Sequence, residues 1–300
     1  MDQPLLNYMR PGIVLCVAYA VASDDGEALV RGVEAVAADL FFSSVEVRYV
    51  ADGDTRRRMV EILRASRLDV VYETYPRLRR LGLSLSSADT VLRRRAVEEG
   101  KRAVDEALEI DAVRLNIASG PDPGTGRRDE GADALVDSLY ELAEYAAGRS
   151  GGGLSLALEP YPRDGWDASL VGPTGEAVAL AQLVREVYPD FGLTLDTGHV
   201  ALLREDLAAA LAVAAPYLGQ LHLSNILPGS PNGAPPFGVA GSMYDTPRLT
   251  DALLALFHAG FLGVGRRPFV TFRVGPGSRE RPEWVIAGAK RTLTEAWTRL

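Results

Sequence analysis

The chain has 300 residues, of which 47% are hydrophobic and 24% charged, and its formal net charge at pH 7 is -8. This composition excludes a disordered protein and allows a large buried core. The negative charge argues against a nucleic-acid surface, because neutralising phosphates requires clustered cations.

Cysteine usage and the N-terminal segment set expectations for the compartment. The single cysteine, Cys16, excludes an internal disulfide framework and a thiolate-rich metal centre, which fits a reducing cytoplasm. The apolar run at residues 13–22 is too short to span a bilayer, and Asp2 is unlike a basic leader sequence. We therefore expect a cytoplasmic protein with neither a membrane nor a nucleic-acid partner, and read the run as a first strand.

Short apolar segments alternate with longer helical patterns along the whole chain, which is typical of βα units around a parallel sheet. The predicted strands are residues 13–20, 44–49, 69–75, 112–118, 154–159, 192–196, 220–225 and 269–274. Helical patterns follow at about residues 25–40, 54–66, 89–109, 130–148, 174–188, 205–214, 247–260 and 282–298. Eight units without a composition break predict one α/β domain over residues 1–300, a closed (β/α)8 TIM barrel.

One connection is much longer than an ordinary βα loop. Residues 226–245 form a stretch rich in Gly and Pro after the seventh strand. Either an active-site lid or an ordered surface loop explains this composition.

Residues suited to metal binding end three consecutive strands. Glu159, Asp196 and His222 follow the fifth, sixth and seventh predicted strands, whose carboxyl ends meet at one rim of a barrel. Two carboxylates and an imidazole suit a divalent ion such as Mn²⁺, Co²⁺ or Mg²⁺. The structural alternative is that the carboxylates cap helices or pair with arginines, while the histidine is a satisfied core residue.

Further polar residues cluster at the same predicted rim. His199 lies one turn beyond Asp196, where it would contact a substrate hydroxyl or carbonyl or else cap a helix. Glu73 and Asn225 lie at the ends of the third and seventh predicted strands, and Arg163 follows the fifth; all three are candidate substrate contacts, and Glu73 is alternatively a further acid/base. Trp166 and Asp167, close to Arg163, either line the same pocket or belong to an ordinary loop.

The spacing of these residues resembles the sugar phosphate isomerase/epimerase superfamily, the xylose isomerase-like TIM barrels. The likeness extends over most of the chain. Its segments are FSSVEVR, SLSSADTVLRRRAVEEGKRAVDEALEIDAVRLNIASG, LALEP, LDTGH, LHLSN and VIAGAKRTLTEAW.

This resemblance implies a ketose epimerase site in which two glutamates bind a metal and exchange a proton on either face of the substrate carbon. Carried over by position, Glu159 is an acid/base and ligand, Asp196 and His222 are ligands, and His199 contacts the substrate. The second glutamate is expected at position 273, where this chain has Arg273. A guanidinium can neither ligate a cation nor act as a general base, so the usual pair is incomplete.

Three roles for Arg273 stay open at this point. The side chain swings outward and leaves a three-ligand metal site, or it replaces the metal by polarising a carbonyl or holding an anionic group, or catalysis is lost and binding remains. We expect an isomerase or epimerase acting on a small keto sugar, polyol or cyclitol. The alternatives are a dehydratase or lyase using the same enolate and a binding protein; a homo-oligomer is compatible with all of them.

Overall fold

Eight parallel strands close into a barrel in a computed structural model that describes residues 1, 3–19, 25–164, 168–228 and 234–300. Each strand pairs with the next along the chain, and β8 pairs back onto β1. The strands are β1 Arg10–Val14, β2 Ser44–Arg48, β3 Asp69–Glu73, β4 Ala112–Ile117, β5 Ser155–Leu158, β6 Gly192–Asp196, β7 Leu218–Ser224 and β8 Phe269–Arg273. The predicted (β/α)8 TIM barrel is confirmed.

Helices fill the connections between the strands. They are α1 Leu15–Ala18, α2 Gly26–Ala37, α3 Gly53–Ser66, α4 Tyr75–Arg80, α5 Thr90–Glu109, α6 Arg128–Ser150, α7 Thr174–Arg185, α8 Thr197–Leu202, α9 Leu207–Ala214, α10 Thr246–His258 and α11 Pro282–Thr298. Short 3-10 turns lie at Leu5–Asn7 and Thr125–Arg127. Several helices begin at an aspartate whose side chain accepts a backbone N–H of the first turn, as Asp52 does from Thr55 and Asp89 from Val91. Within the described residues, no helix is both long and apolar enough to cross a membrane.

The first strand differs from its prediction. The structure ends β1 at Val14, and Leu15–Ala18 form a helical turn; residue 20, the predicted end, lies outside the described residues. A short apolar run has no periodicity that separates a strand from a buried helical turn, which explains the error.

The barrel has an apolar outer layer and a polar interior. Side chains on the outer face of the strands, such as Leu115, Leu195 and Phe272, pack against the surrounding helices. The interior holds buried polar side chains from five strands: Glu46, Asn116, Thr194, Gln220, His222 and Thr271. TIM barrels ordinarily fill this space with branched apolar residues. In this barrel, polar and charged side chains occupy it near the rim.

A glycine in β7 makes room for a large side chain at the other end of the barrel. A Cβ at position 219 would lie 2.5 Å from Cζ and 2.7 Å from Nη1 of Arg114, a buried guanidinium from β4. We therefore expect Gly219→Ala to displace Arg114 and lower the free energy of unfolding in urea by about 1–3 kcal/mol.

The matched control is Gly148→Ala in α6, where an added Cβ meets nothing within 4 Å. Alanine is the better helix former, so this change should raise stability by roughly 1 kcal/mol. Equal effects of the two substitutions would contradict the proposed packing.

Candidate active site

The candidate site lies at the carboxyl ends of β5 to β8. Glu159 directly follows β5, and its backbone N–H donates to the Ile117 carbonyl at 2.8 Å, which fixes the position of its side chain inside the rim. Asp196 is the last residue of β6 and also the N-cap of α8. Both carboxylates are buried.

Asp196 uses one oxygen for structure and leaves the other facing the site. Its Oδ1 accepts from the His199 backbone N–H at 2.9 Å and from the Ser224 hydroxyl, whereas Oδ2 has no hydrogen-bond partner among the described residues. Burial alone would raise the pKa of Asp196, but His199, Arg273 and His222, with the Ser224 hydroxyl, hold it at about 2. This carboxylate is therefore an anion at neutral pH.

His199 is a neutral imidazole in this environment. Burial lowers its pKa, although the Asp196 carboxylate acts in the opposite direction. Its Nε2 lies 3.3 Å from Nη1 of Arg273, and a guanidinium only donates, so Nε2 is the acceptor and Nδ1 carries the proton. That Nδ1 lies 3.8 Å from Glu159 Oε1.

Three of these side chains are close enough to share one cation. Ligand atoms of Glu159, Asp196 and His199 lie within 4.8 Å of one another in the described part of the chain. Asp196 Oδ2 has no hydrogen bond there, and its charged neighbour is Arg273 at 3.5 Å. His199 would offer Nδ1 to an ion after the proton on Nδ1 moves to Nε2. Two carboxylates and one imidazole, buried and partly unsatisfied, fit a divalent ion such as Mn²⁺, Co²⁺ or Mg²⁺.

His222, predicted as a metal ligand, lies between two carboxylates. Its Nε2 is 2.8 Å from Glu46 Oε2, and its Nδ1 is 3.2 Å from Glu159 Oε1. Burial would lower the pKa of His222, but the two carboxylates raise it well above its usual range. An imidazolium donates from both nitrogens and has no lone pair for a metal. The ligand role of His222 stays a prediction, and in this structure the ring holds Glu159 in place.

Amides and hydroxyls complete the hydrogen bonds around this ring. Glu46 Oε2 also accepts from Gln220 at 2.7 Å, and Gln220 donates to Thr271 at 3.0 Å. Asn116 donates to Gln220 at 3.0 Å and accepts from Thr194 at 2.9 Å. Sequence reasoning did not assign Gln220, Asn116, Thr194 or Thr271 to the site. The available signal was a polar residue at alternate positions of otherwise apolar strands, the pattern of an inward-facing side.

Arg273 ends β8 and points into the site. Its Nη1 lies 3.5 Å from Asp196 Oδ2 and 3.3 Å from His199 Nε2, and a quarter of its side chain is exposed (25%). Burial alone would lower its pKa, but Asp196, Tyr161 and the carboxylates of Glu159 and Glu73 raise it, so the guanidinium is permanently charged. Of the three predicted roles, the outward orientation is not the one seen here.

A tyrosine joins a second carboxyl group to the site. The Tyr161 hydroxyl lies 3.3 Å from Glu159 Oε2 and 3.3 Å from Glu73 Oε1. Burial, together with Glu46 and Glu159, raises the pKa of Glu73 to about 7, so both protonation states are populated at neutral pH. Tyr161 was missed from the sequence, although it lies only two residues after Glu159.

Two predicted substrate contacts have protein partners. Asn225 donates to the carbonyls of Pro236 and Tyr244 and accepts from Ile226 and Tyr244 N–H groups, which fastens the described ends of the loop at residues 226–245. Residues 229–233 of this loop lie outside the described residues.

Arg163 pairs with Glu176 and donates to the Leu170 carbonyl at 3.2 Å, away from the carboxylates of the site. Trp166 and Asp167 lie outside the described residues. The predicted substrate contacts of Asn225 and Arg163 stay predictions.

The family of the chain follows from its sequence. A family model described as "Xylose isomerase-like TIM barrel" matches residues 32–267, more than half of the chain. The chain belongs to this family, as the resemblance of its strand-end motifs indicated. No curated protein matches the sequence.

Solved structures share the fold at low sequence identity. An AP endonuclease of family 2 from Brucella melitensis has a TM-score of 0.70 and 17% identity, covering 93% of this chain and 96% of its own. A D-allulose 3-epimerase from Methylomonas sp. has a TM-score of 0.69 and 17% identity over 97% and 96%. The E. coli 3-keto-D-glucoside 4-epimerase YcjR has a TM-score of 0.65 and 15% identity over 97% and 99%.

Glu46 and Glu159, the two carboxylates that contact His222, should contribute strongly to the free energy of unfolding. Removing one partner of a buried charged pair leaves the other uncompensated. We expect Glu46→Ala to lower the free energy of unfolding in urea by about 3 kcal/mol.

The control is Glu109→Ala, which removes a half-exposed carboxylate 3.5 Å from Arg56. Screening by water makes such surface pairs weak, so little change is expected there. A Glu46→Ala protein as stable as this control would show that the carboxylate does not stabilise the His222 ring.

Proposed function

We propose that the protein is an isomerase or epimerase that moves a proton next to the carbonyl of a small keto sugar, polyol or cyclitol. One observation carries this proposal. Two buried carboxyl groups, Glu159 and Glu73, flank the Tyr161 hydroxyl at 3.3 Å each, beside the charged Arg273 at the mouth of the barrel. Paired carboxyls and a fixed cation are what carbanion chemistry next to a carbonyl requires.

Glu159, Asp196 and His199 are the residues that would hold a divalent metal, since they supply close and partly orphaned ligand atoms. When bound, such an ion supplies Lewis acid chemistry, which polarises a carbonyl oxygen. Arg273 contacts two of these side chains and repels a cation, so we expect binding to be weakened by its charge.

We assign one proton step to each of the two carboxyl groups. Glu159, ionised because His222 and His199 lower its pKa against the effect of burial, accepts the proton from the carbon next to the carbonyl. The electron pair of that C–H bond moves to the carbonyl oxygen, where the Arg273 guanidinium stabilises the enediolate. Glu73 in its protonated form returns a proton to the carbon from its own side, which inverts the centre, while Glu159 keeps the proton it accepted until release of the product.

The comparisons support the class of reaction. Two of the structures that share the fold are named as sugar epimerases, one acting on D-allulose and one on a 3-keto-D-glucoside. Their identity to this chain is 15% to 17%, so the substrate has to be argued from the site itself.

A second candidate is a binding protein that kept the barrel without turnover. The contact between Arg273 and Asp196 favours it, because an ion pair occupies the side of the site where the resemblance places a glutamate. A lyase acting through the same enediolate would use the same first step. Turnover of keto sugars separates the binding protein from both enzymes, and the product separates a lyase from an epimerase.

Glu159→Gln removes the base while keeping the shape of the side chain. We expect it to lower kcat on a keto sugar by about 10²- to 10⁴-fold with the fold unchanged by circular dichroism. The measurement is product formation by chromatography with a panel of ketohexoses and keto glycosides.

Glu73→Gln gives a matched comparison and should also suppress inversion. The surface variant Glu186→Gln should retain the wild-type rate. An unchanged rate in Glu159→Gln would rule out this mechanism.

Arg273→Glu tests the role of the charge at position 273. Replacing a cation by a carboxylate beside Asp196 should tighten Mn²⁺ binding, measured by calorimetry, by at least about tenfold. Asp196→Ala should abolish binding in both backgrounds. Identical Mn²⁺ affinities of the wild type and Arg273→Glu would show that position 273 lies outside the metal site.

A further inference from the structure

All the exposed side chains of α9 are apolar. This helix, Leu207–Ala214, has the sequence LAAALAVA, and its exposed residues are Ala208, Ala209, Ala212 and Val213. A helix at a protein surface ordinarily presents charged or polar residues to water, and a helix that is apolar on every side is usually buried. In a chain with 24% charged residues, a solvent-facing helix made only of alanine, leucine and valine is unusual.

The two neighbouring helices extend this apolar surface. α9 packs against both α7 and α10. On α7, Leu183 and Val187 have 46% and 59% of their surface exposed, and on α10 Leu254 has 40% exposed. Apolar surface that is contiguous over several elements marks an interaction site in a soluble protein. These three residues and the exposed residues of α9 are called the α7–α9–α10 surface below.

A groove of about 300 Å³ lies between α9 and α10 within this surface. Ala208 and Ala212 line it from α9, and Ala255 and Ala259 line it from α10. Because these side chains are small, the ridge of another helix can lie in the groove at close range. Leu254 also borders the groove and supplies a larger apolar side chain beside it.

The order of residues along α10 is complementary to itself. Asp251, Leu254 and His258 lie three and four residues apart on one exposed face of this helix. Asp251 and His258 are equally distant in sequence from the midpoint between Leu254 and Ala255. When two copies of α10 pack antiparallel about a two-fold axis at that midpoint, Asp251 of each copy faces the partner's His258.

We propose that the α7–α9–α10 surface is the interface of a two-fold symmetric dimer, in which α10 packs antiparallel against α10 of a second copy. Leu254 of each copy then lies against the alanine-lined groove of the other, and the apolar side chains of α9 are removed from water. The two Asp251–His258 pairs fix the orientation of the helices, since an imidazole N–H donates to a carboxylate in either protonation state. A second copy matches this symmetric order of residues by construction, which favours it over a partner of different sequence.

Sedimentation velocity of the full chain tests the proposal. We expect a species with twice the chain mass of 32.2 kDa at micromolar concentration. Leu254→Glu places a charge inside the apolar contact and should raise the dimer Kd by at least about 100-fold. A wild-type protein that sediments as a monomer throughout the micromolar range would overturn the proposal.

The matched control is Val91→Glu, which makes the same kind of change at an exposed position (65%) in the first turn of α5, away from α9 and α10. A carboxylate is favourable in a first helical turn, so this variant should fold and keep the wild-type Kd. Circular dichroism checks the fold of both variants, and Ala212→Glu replaces Leu254→Glu if that protein does not fold. A folded variant of the groove that dimerises like the control would place the interface elsewhere and refute the proposal.

A charge exchange tests the antiparallel arrangement. Asp251→Lys and His258→Glu each remove the attraction in both pairs, and each should raise the dimer Kd by at least about fivefold. The double variant Asp251→Lys/His258→Glu recreates both pairs with the signs reversed, so its Kd should return to within about threefold of the wild-type value. Single effects that add up in the double variant would show that the two residues do not face each other, which would overturn the proposed dimer.

Discussion

The imidazolium of His222, held between Glu46 and Glu159 inside the barrel, is the interaction on which the rest of the site depends. Burying three ionised groups costs several kcal/mol for each of them unless each is paired and hydrogen-bonded. Gln220 and Asn116 supply the further donors to Glu46, and this requirement explains why the barrel interior is polar. The result is a Glu159 carboxylate fixed in position and ionised at neutral pH.

Arg273 sets the electrostatics on the opposite side of the site. Four carboxyl groups of the site, those of Glu46, Glu73, Glu159 and Asp196, face two cations, His222 and Arg273. A guanidinium already contacts Asp196 and His199, so negative charge that develops on a substrate oxygen meets a preorganised donor. The same positive charge lowers the affinity of the site for a metal cation. Arg273 therefore affects both substrate recognition and metal affinity.

The sequence was sufficient for the barrel and for the rim that carries the site, because each βα repeat has its own periodicity and parallel strands end at one edge. Seven of the eight strands lie within two residues of their predicted ends; β1 does not, since its apolar run continues into a helical turn. Side-chain contacts between residues far apart in the sequence could not be predicted from it. Nothing local indicates that Glu46 contacts His222, 176 residues away, or that one tyrosine joins Glu73 to Glu159.

Proton transfer next to a carbonyl is the central claim, and solvent isotope incorporation tests it most directly. The protein would be incubated in D₂O with ketohexoses and keto glycosides, and the recovered compounds analysed by mass spectrometry and proton NMR. The proposed mechanism predicts one deuterium at the carbon next to the carbonyl in the product. A product that carries no deuterium, or no incorporation into any of these compounds, would contradict it.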